Sequence, residues 1–117
     1  MDVVQPDLHW CGGLTEALRI YYIAEAAGIK TCPHGGTRSA YGQHFLYASP
    51  ECPLGEYGVI APPGVPLEEM PHIPGIPLPV DGYVVPSDAP DFGMEIPEEW
   101  IHPWQHGRAA GDIVAVL

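Results

Sequence analysis

The first apolar run is short: Val3 and Val4, flanked by Asp2 and Gln5 and closed by Pro6-Asp7, which is the pattern of a strand. From Gly12-Gly13 the period changes. Ala17, Ile20, Tyr21, Ala24 and Ala27 recur at helical spacing, with Thr15, Glu16, Arg19, Tyr22 and Glu25 largely opposite them. Glu16 falls in the first turn, where the helix dipole favours an anion, and Gly28 supplies a C-terminal stop. Ile29-Lys30-Thr31-Cys32 predicts a second strand, closed by Pro33-His34-Gly35-Gly36. A second helix is predicted over Ser39–Ser49, with Tyr41, Phe45 and Ala48 on one face and Pro50 ending it. Leu54-Gly55-Glu56-Tyr57 reads as a third strand.

Strand, helix, strand, helix, strand with short joins predicts an α/β fold with parallel strands and right-handed crossovers. In such a sheet the strand C-terminal ends share one edge, where active sites are built. Asp7, His34 and Glu56 all fall at those ends. A carboxylate beside a histidine orients the imidazole and favours its protonated form, which makes a general-base pair. A further carboxylic acid can hydrogen-bond developing negative charge if its site keeps it protonated. Any one of the three residues alone reads more simply as a turn cap, a satisfied histidine or a rim charge. Together, at three strand ends, they read as a site.

Proline divides the chain. Thirteen of its 15 prolines lie from Pro50 onward, so the second half is expected to be loop, edge strand and short turns. One helical turn is expected at Leu67–Met70, and an extended segment or hairpin around Asp81-Gly82. Gly93–Ile96 reads as another short strand, and the tail from Gly107 has no assignable pattern.

Composition narrows the function classes. The net charge of −11, with only four Lys and Arg, argues against nucleic acid and anionic membrane surfaces as partners. No apolar run approaches the ~18–20 residues that span a bilayer. The start of the chain has neither a basic region nor an apolar signal core. Three cysteines with no CxxC suit a reducing compartment, so a cytoplasmic location is expected and the thiols read as small buried side chains. His9 and Cys11 share an HxC spacing, and His102 and His106 are four apart. Neither pair makes a metal site alone. Tyr41 and His44 read as packing residues of the second helix.

In order along the chain, Gln5-Pro6-Asp7, Cys11-Gly12-Gly13-Leu14-Thr15-Glu16, Pro33-His34-Gly35 and Gly55-Glu56-Tyr57 resemble the enolase superfamily. More narrowly, they are similar to its mandelate racemase/muconate lactonizing branch. The Trp10–Glu16 stretch and the Pro-His-Gly turn look most like acid-sugar dehydratases of the L-rhamnonate dehydratase type. The resemblance covers residues 2–58 and continues more loosely to about Trp100. It implies that residues 1–58 are the C-terminal part of a (β/α)8 TIM barrel, about strands six to eight. Residues 59–106 would be a Pro-rich C-terminal extension returning to a capping domain, and 107–117 a tail.

The resemblance also implies roles. His34 would remove the proton α to the substrate carboxylate and return a proton to a leaving β-hydroxyl. Asp7 would be its dyad partner, and Glu56 the acid that hydrogen-bonds the enediolate. The substrate would be a small sugar acid and the cofactor Mg2+, with its ligands in a missing N-terminal part of the barrel and none in this chain. The chain is accordingly expected to be inactive alone, and to associate with that missing part or with itself. Two alternatives stand beside this reading: a standalone binding or assembly module, and a racemase or cycloisomerase of the same superfamily.

Overall fold

The computed structural model describes residues 1–103. The tail over 107–117, His106 and the last residues of the Pro-rich extension lie outside the described residues. Within them the order is β1 (Val3–Val4), α1 (Leu14–Ala26), β2 (Lys30–Thr31) and α2 (Ala40–Ala48), followed by a half without helices longer than a single 3-10 turn.

The two strands are parallel and in register, Val3 opposite Lys30 and Val4 opposite Thr31. Each is only two residues long, but the pairing runs on in both directions. The Lys30 amide donates to the Asp2 carbonyl at 3.2 Å, Cys32 to Val4 at 3.0 Å, and His34 to Pro6 at 3.1 Å. Pro6 cannot donate but accepts, so it ends the strand without orphaning its neighbour. This zip brings the residues after each strand, Asp7 and His34, to the same edge.

Helix α1 begins after Gly13, whose φ of 87° is open to glycine, and ends in a Schellman motif around Gly28, φ 69°. There the Gly28 amide reaches the Glu25 carbonyl at 2.9 Å and the Ile29 amide the Ala24 carbonyl at 2.9 Å. Its buried face is Ala17, Tyr21 and Ala24, whereas Ala27, at the C-cap, is exposed. Helix α2 is capped by Ser39, whose hydroxyl accepts from the Gly42 amide at 3.2 Å. Phe45 is buried on its inner face, while Ala48, expected on the same face, is exposed at the last turn. The core lies between the helices and the turn after β1. Leu8, Ala17, Tyr21 and Phe45 form it, with the Tyr21 and Phe45 rings edge to face at 5.9 Å.

The third strand expected over Leu54–Tyr57 is not formed. Pro50 and Pro53 remove two donors near its start. The segment is held instead by isolated bonds, from the Thr31 amide to the Glu51 carbonyl at 3.1 Å and from the Thr37 amide to the Glu56 carbonyl at 3.2 Å. No strand forms at Gly93–Ile96 either. The chain makes a 3-10 turn over Asp91–Gly93 with Asp91, Phe92 and Gly93 all at positive φ, which no strand accommodates. The Asp81-Gly82 hairpin is present as a single antiparallel bridge between Val80 and Tyr83, with both turn residues at positive φ as a type I′ turn requires. Leu67–Glu69 forms the expected turn. The Pro-rich half is tied to α2 through Gln43, whose amide group donates to the Thr37 and Pro77 carbonyls at 2.8 Å each. The Arg38 guanidinium donates to the Pro71 carbonyl at 3.1 Å. Among the described residues no helix is long and apolar enough to cross a membrane.

Candidate functional site

Asp7 follows β1 at the head of a tight turn. Its carbonyl accepts from the Trp10 and Cys11 amides, and its side-chain Oδ1 accepts from the His9 amide at 2.8 Å and the Trp10 amide at 3.3 Å. This is the local bonding that aspartate favours outside helices. It fixes one carboxylate oxygen and points the other, Oδ2, across the sheet edge.

His34 arrives there from β2, its Nδ1 3.1 Å from Asp7 Oδ2. The imidazole is 64% exposed and the Asp7 side chain 24%. Nδ1 is spent on the carboxylate, which leaves Nε2 as the ring nitrogen available to a ligand. Gly35, next in the chain, lies at φ 59° and starts a 3-10 turn over Gly36–Arg38. Its amide donates to Glu56 Oε2 at 2.8 Å. The Thr37 amide and hydroxyl both donate to the Glu56 carbonyl. Asp7 and His34 are therefore in direct contact, and Glu56 reaches the same turn through the backbone of Gly35 rather than through the imidazole.

Partial desolvation pushes the Asp7 pKa up, but the hydrogen bonds from His34 and from the His9 and Trp10 amides outweigh it. The net position is below the ordinary 3.8. Because the folded carboxyl is the stronger acid, the unfolded chain takes up the proton first. The stabilisation is complete above the ordinary carboxylate range and is lost as pH falls through the folded value. Asp7→Asn should therefore lower the melting temperature by a few degrees at neutral pH. The gap from the wild type should close on acidification below about pH 4. Melts followed by circular dichroism between pH 2 and 7 check this, and a gap independent of pH would contradict it.

Two other residues belong to this edge, and sequence patterning did not bring them out. The Tyr41 hydroxyl on α2 lies 2.7 Å from His9 Nδ1 and 2.9 Å from Nε2, so a single O–H serves one ring edge. Tyr41 is thus more than the packing residue expected of it. The only hint in the sequence is that His9 stands two residues from Asp7. His44 does pack, edge to face on Phe92 at 5.3 Å. Cys11, Cys32 and Cys52 are unbridged, and burial pushes the Cys52 thiol up to about 11, out of nucleophilic range at neutral pH.

Among the described residues no group of three or more His, Cys, Asp and Glu is placed to hold a metal ion. Asp7, His34 and Glu56 therefore do not constitute a divalent-cation site by themselves. What the arrangement can do is hold a histidine against a carboxylate with its outer nitrogen exposed, and so take up and return a proton.

The family described as enolase C-terminal domain-like matches residues 1–100. No solved structure matches the chain.

Proposed function

From the premise that the chain belongs to the enolase C-terminal domain-like family, we propose that Asp7, His34 and Glu56 are the proton-transfer part of an acid-sugar dehydratase of the L-rhamnonate dehydratase type. The observation that carries this reading is the 3.1 Å bond from His34 Nδ1 to Asp7 Oδ2 across adjacent strand ends, with the other ring nitrogen free.

The chemistry follows from those atoms. His34 Nε2 accepts the proton from the carbon α to the substrate carboxylate, and the Asp7 carboxylate stabilises the resulting imidazolium. The electron pair of the broken C–H bond moves onto the carboxylate as an enediolate. Glu56, anchored on the Gly35 amide, is the acid that hydrogen-bonds an enediolate oxygen. When the enediolate collapses, the bond to the β-hydroxyl breaks, and the imidazolium returns its proton to that oxygen. Water leaves, and the enol product tautomerises to a 2-keto-3-deoxy acid.

Members of this superfamily typically use Mg2+, but the described residues offer no ligand set, so no step is assigned to a metal ion on this chain. In this reading residues 1–58 are about strands six to eight of a (β/α)8 barrel and 59–106 the return to a capping domain. The Mg2+ ligands then belong to preceding strands, supplied by another polypeptide segment of a cytoplasmic enzyme. The short ladder supports this. Two paired strands of two residues, with Val3 exposed on the first and Met1 exposed before it, leave the outer edge of β1 to be paired.

The test is complementation. The 117-residue chain is incubated with L-rhamnonate and related sugar acids with Mg2+, alone and with the first part of a dehydratase barrel. No turnover alone and Mg2+-dependent 2-keto acid formation on mixing is the expected result. Turnover by the chain alone would overturn the reading. A cooperative monomer that gains nothing from the complement would favour a standalone module.

A further inference from the structure

The Asp7 side chain is 24% exposed and hangs on a turn, so something must keep it aimed at His34. Partial rotation about its side chain would swing Oδ2 out of line with the imidazole and break that bond. The bonds that oppose this come from the His9 amide on Oδ1 at 2.8 Å and, longer, the Trp10 amide at 3.3 Å, and His9 is itself an exposed residue on a short loop. Leu8 anchors the turn in the core, and one polar side-chain contact reaches His9 itself from a regular element. The Tyr41 hydroxyl on α2 meets the His9 ring, and the two rings are edge to face at 5.3 Å and 63°.

We propose that Tyr41 and His9 are positioning residues for the Asp7–His34 pair: α2 holds the His9 ring, and His9 holds the turn that aims the Asp7 carboxylate. The assignment of a catalytic purpose to this pair rests on the dehydratase reading, whereas the positioning itself does not.

Three elements meet here, and the groups facing Asp7 are one from each: His9 in its own turn, His34 after β2, and Tyr41 from α2. Partial burial and the negative charge of Asp7 push the Tyr41 phenol up, so at neutral pH it meets the His9 ring as a neutral hydroxyl. The run Tyr41 hydroxyl, His9 ring, His9 amide, Asp7 carboxylate, His34 ring is then a continuous path from a capped helix to the reacting nitrogen. An ornamental surface contact would stop at His9. This one continues because His9 carries both the ring that Tyr41 holds and the amide that Asp7 accepts from.

The test uses the full chain and needs no substrate. Tyr41→Phe, His9→Ala and His9→Gln are compared with the wild type by two NMR readouts. One is the titration of the Asp7 carboxyl carbon, and the other is the hydrogen-bonded Nδ1 proton of His34 with its ring nitrogen shifts. Tyr41→Phe and His9→Ala should move the Asp7 midpoint up toward the ordinary value and lose the His34 Nδ1 proton resonance. His9→Gln, which loses the same ring charge as His9→Ala but retains an acceptor for the phenol, should keep the His34 Nδ1 proton and shift the Asp7 midpoint less than His9→Ala does. His9 is exposed, so His9→Ala serves if Tyr41→Phe fails to fold. Asp7 and His34 signals unchanged in a folded His9→Ala would overturn the proposal and leave the dehydratase reading standing. A moved Asp7 signal in a chain that no complement activates would uphold the positioning and count against the dehydratase reading.

Discussion

His34→Asn is expected to lower kcat for sugar-acid dehydration by the complemented enzyme ~10²- to 10⁴-fold, the usual worth of a general base. KM should change little. Asparagine is the informative replacement because its side-chain amide can still donate to Asp7 Oδ2, as Nδ1 does at 3.1 Å in the wild type. The turn and the carboxylate are thereby kept, and only the outer nitrogen is removed. Loss confined to kcat means that the nitrogen acts in the transition state, and a rise in KM at constant kcat would assign His34 to binding instead. Exchange of the substrate α-proton with deuterium solvent gives a second reading. It should fall sharply with His34→Asn, because His34 is the imidazole that the Asp7 carboxylate orients at this edge.

Gly42→Ala should be strongly destabilising. A Cβ at this position would stand 2.1 Å from the Gly36 carbonyl oxygen and 2.5 Å from the Ser39 hydroxyl. Alanine ordinarily gains about 1 kcal/mol over glycine inside a helix. Here the obstacle is backbone, which cannot rotate away as a flexible side chain would. Overpacking of this kind costs about 1–3 kcal/mol, and a clash against a carbonyl belongs at the upper end. The net loss should be roughly 2 kcal/mol, read as a lower urea midpoint at unchanged slope. Gly58→Ala, whose added Cβ would meet nothing closer than 3.9 Å, is the control and should be near neutral. A Gly42→Ala chain as stable as the control would show that α2 does not press on the turn carrying Gly35 and Gly36.

The helices were legible in the sequence because their signals are local. The 3.6-residue pattern of Ala17, Tyr21 and Ala24, the stop at Gly28 and the Ser39 cap with Pro50 beyond the end all act within a few residues. The adjacency of Asp7 and His34 follows from parallel pairing, since residues just after neighbouring parallel strands share an edge. The third strand misled because Leu54–Tyr57 has the composition of a strand but no ladder, and pairing depends on what lies beside a segment. Gly93–Ile96 misled likewise: its first residue closes a run of three positive φ values that begins at Asp91, and nothing pairs with the rest. The Tyr41–His9 contact was out of reach for another reason. Its partners are 32 residues apart, and only the packing of α2 over the turn after β1 brings them together. The Glu56 link was hidden similarly, because its partner is an amide, and an amide carries no residue identity.

That last contact turns the site into its own gauge. The His34 amide is committed to Pro6, the Gly35 amide to the Glu56 carboxylate and the Thr37 amide to the Glu56 carbonyl. Three nearly consecutive amide protons thus report separately on the ladder, on the acid and on the segment that carries it. Their hydrogen–deuterium exchange rates register whether the edge is assembled. Opening of the 51–57 segment alone would release the protons of Gly35 and Thr37 while that of His34 stays protected. Parting of the strands would release that of His34 as well. The order in which these protons are lost distinguishes the two events with no ligand bound and no reaction taking place.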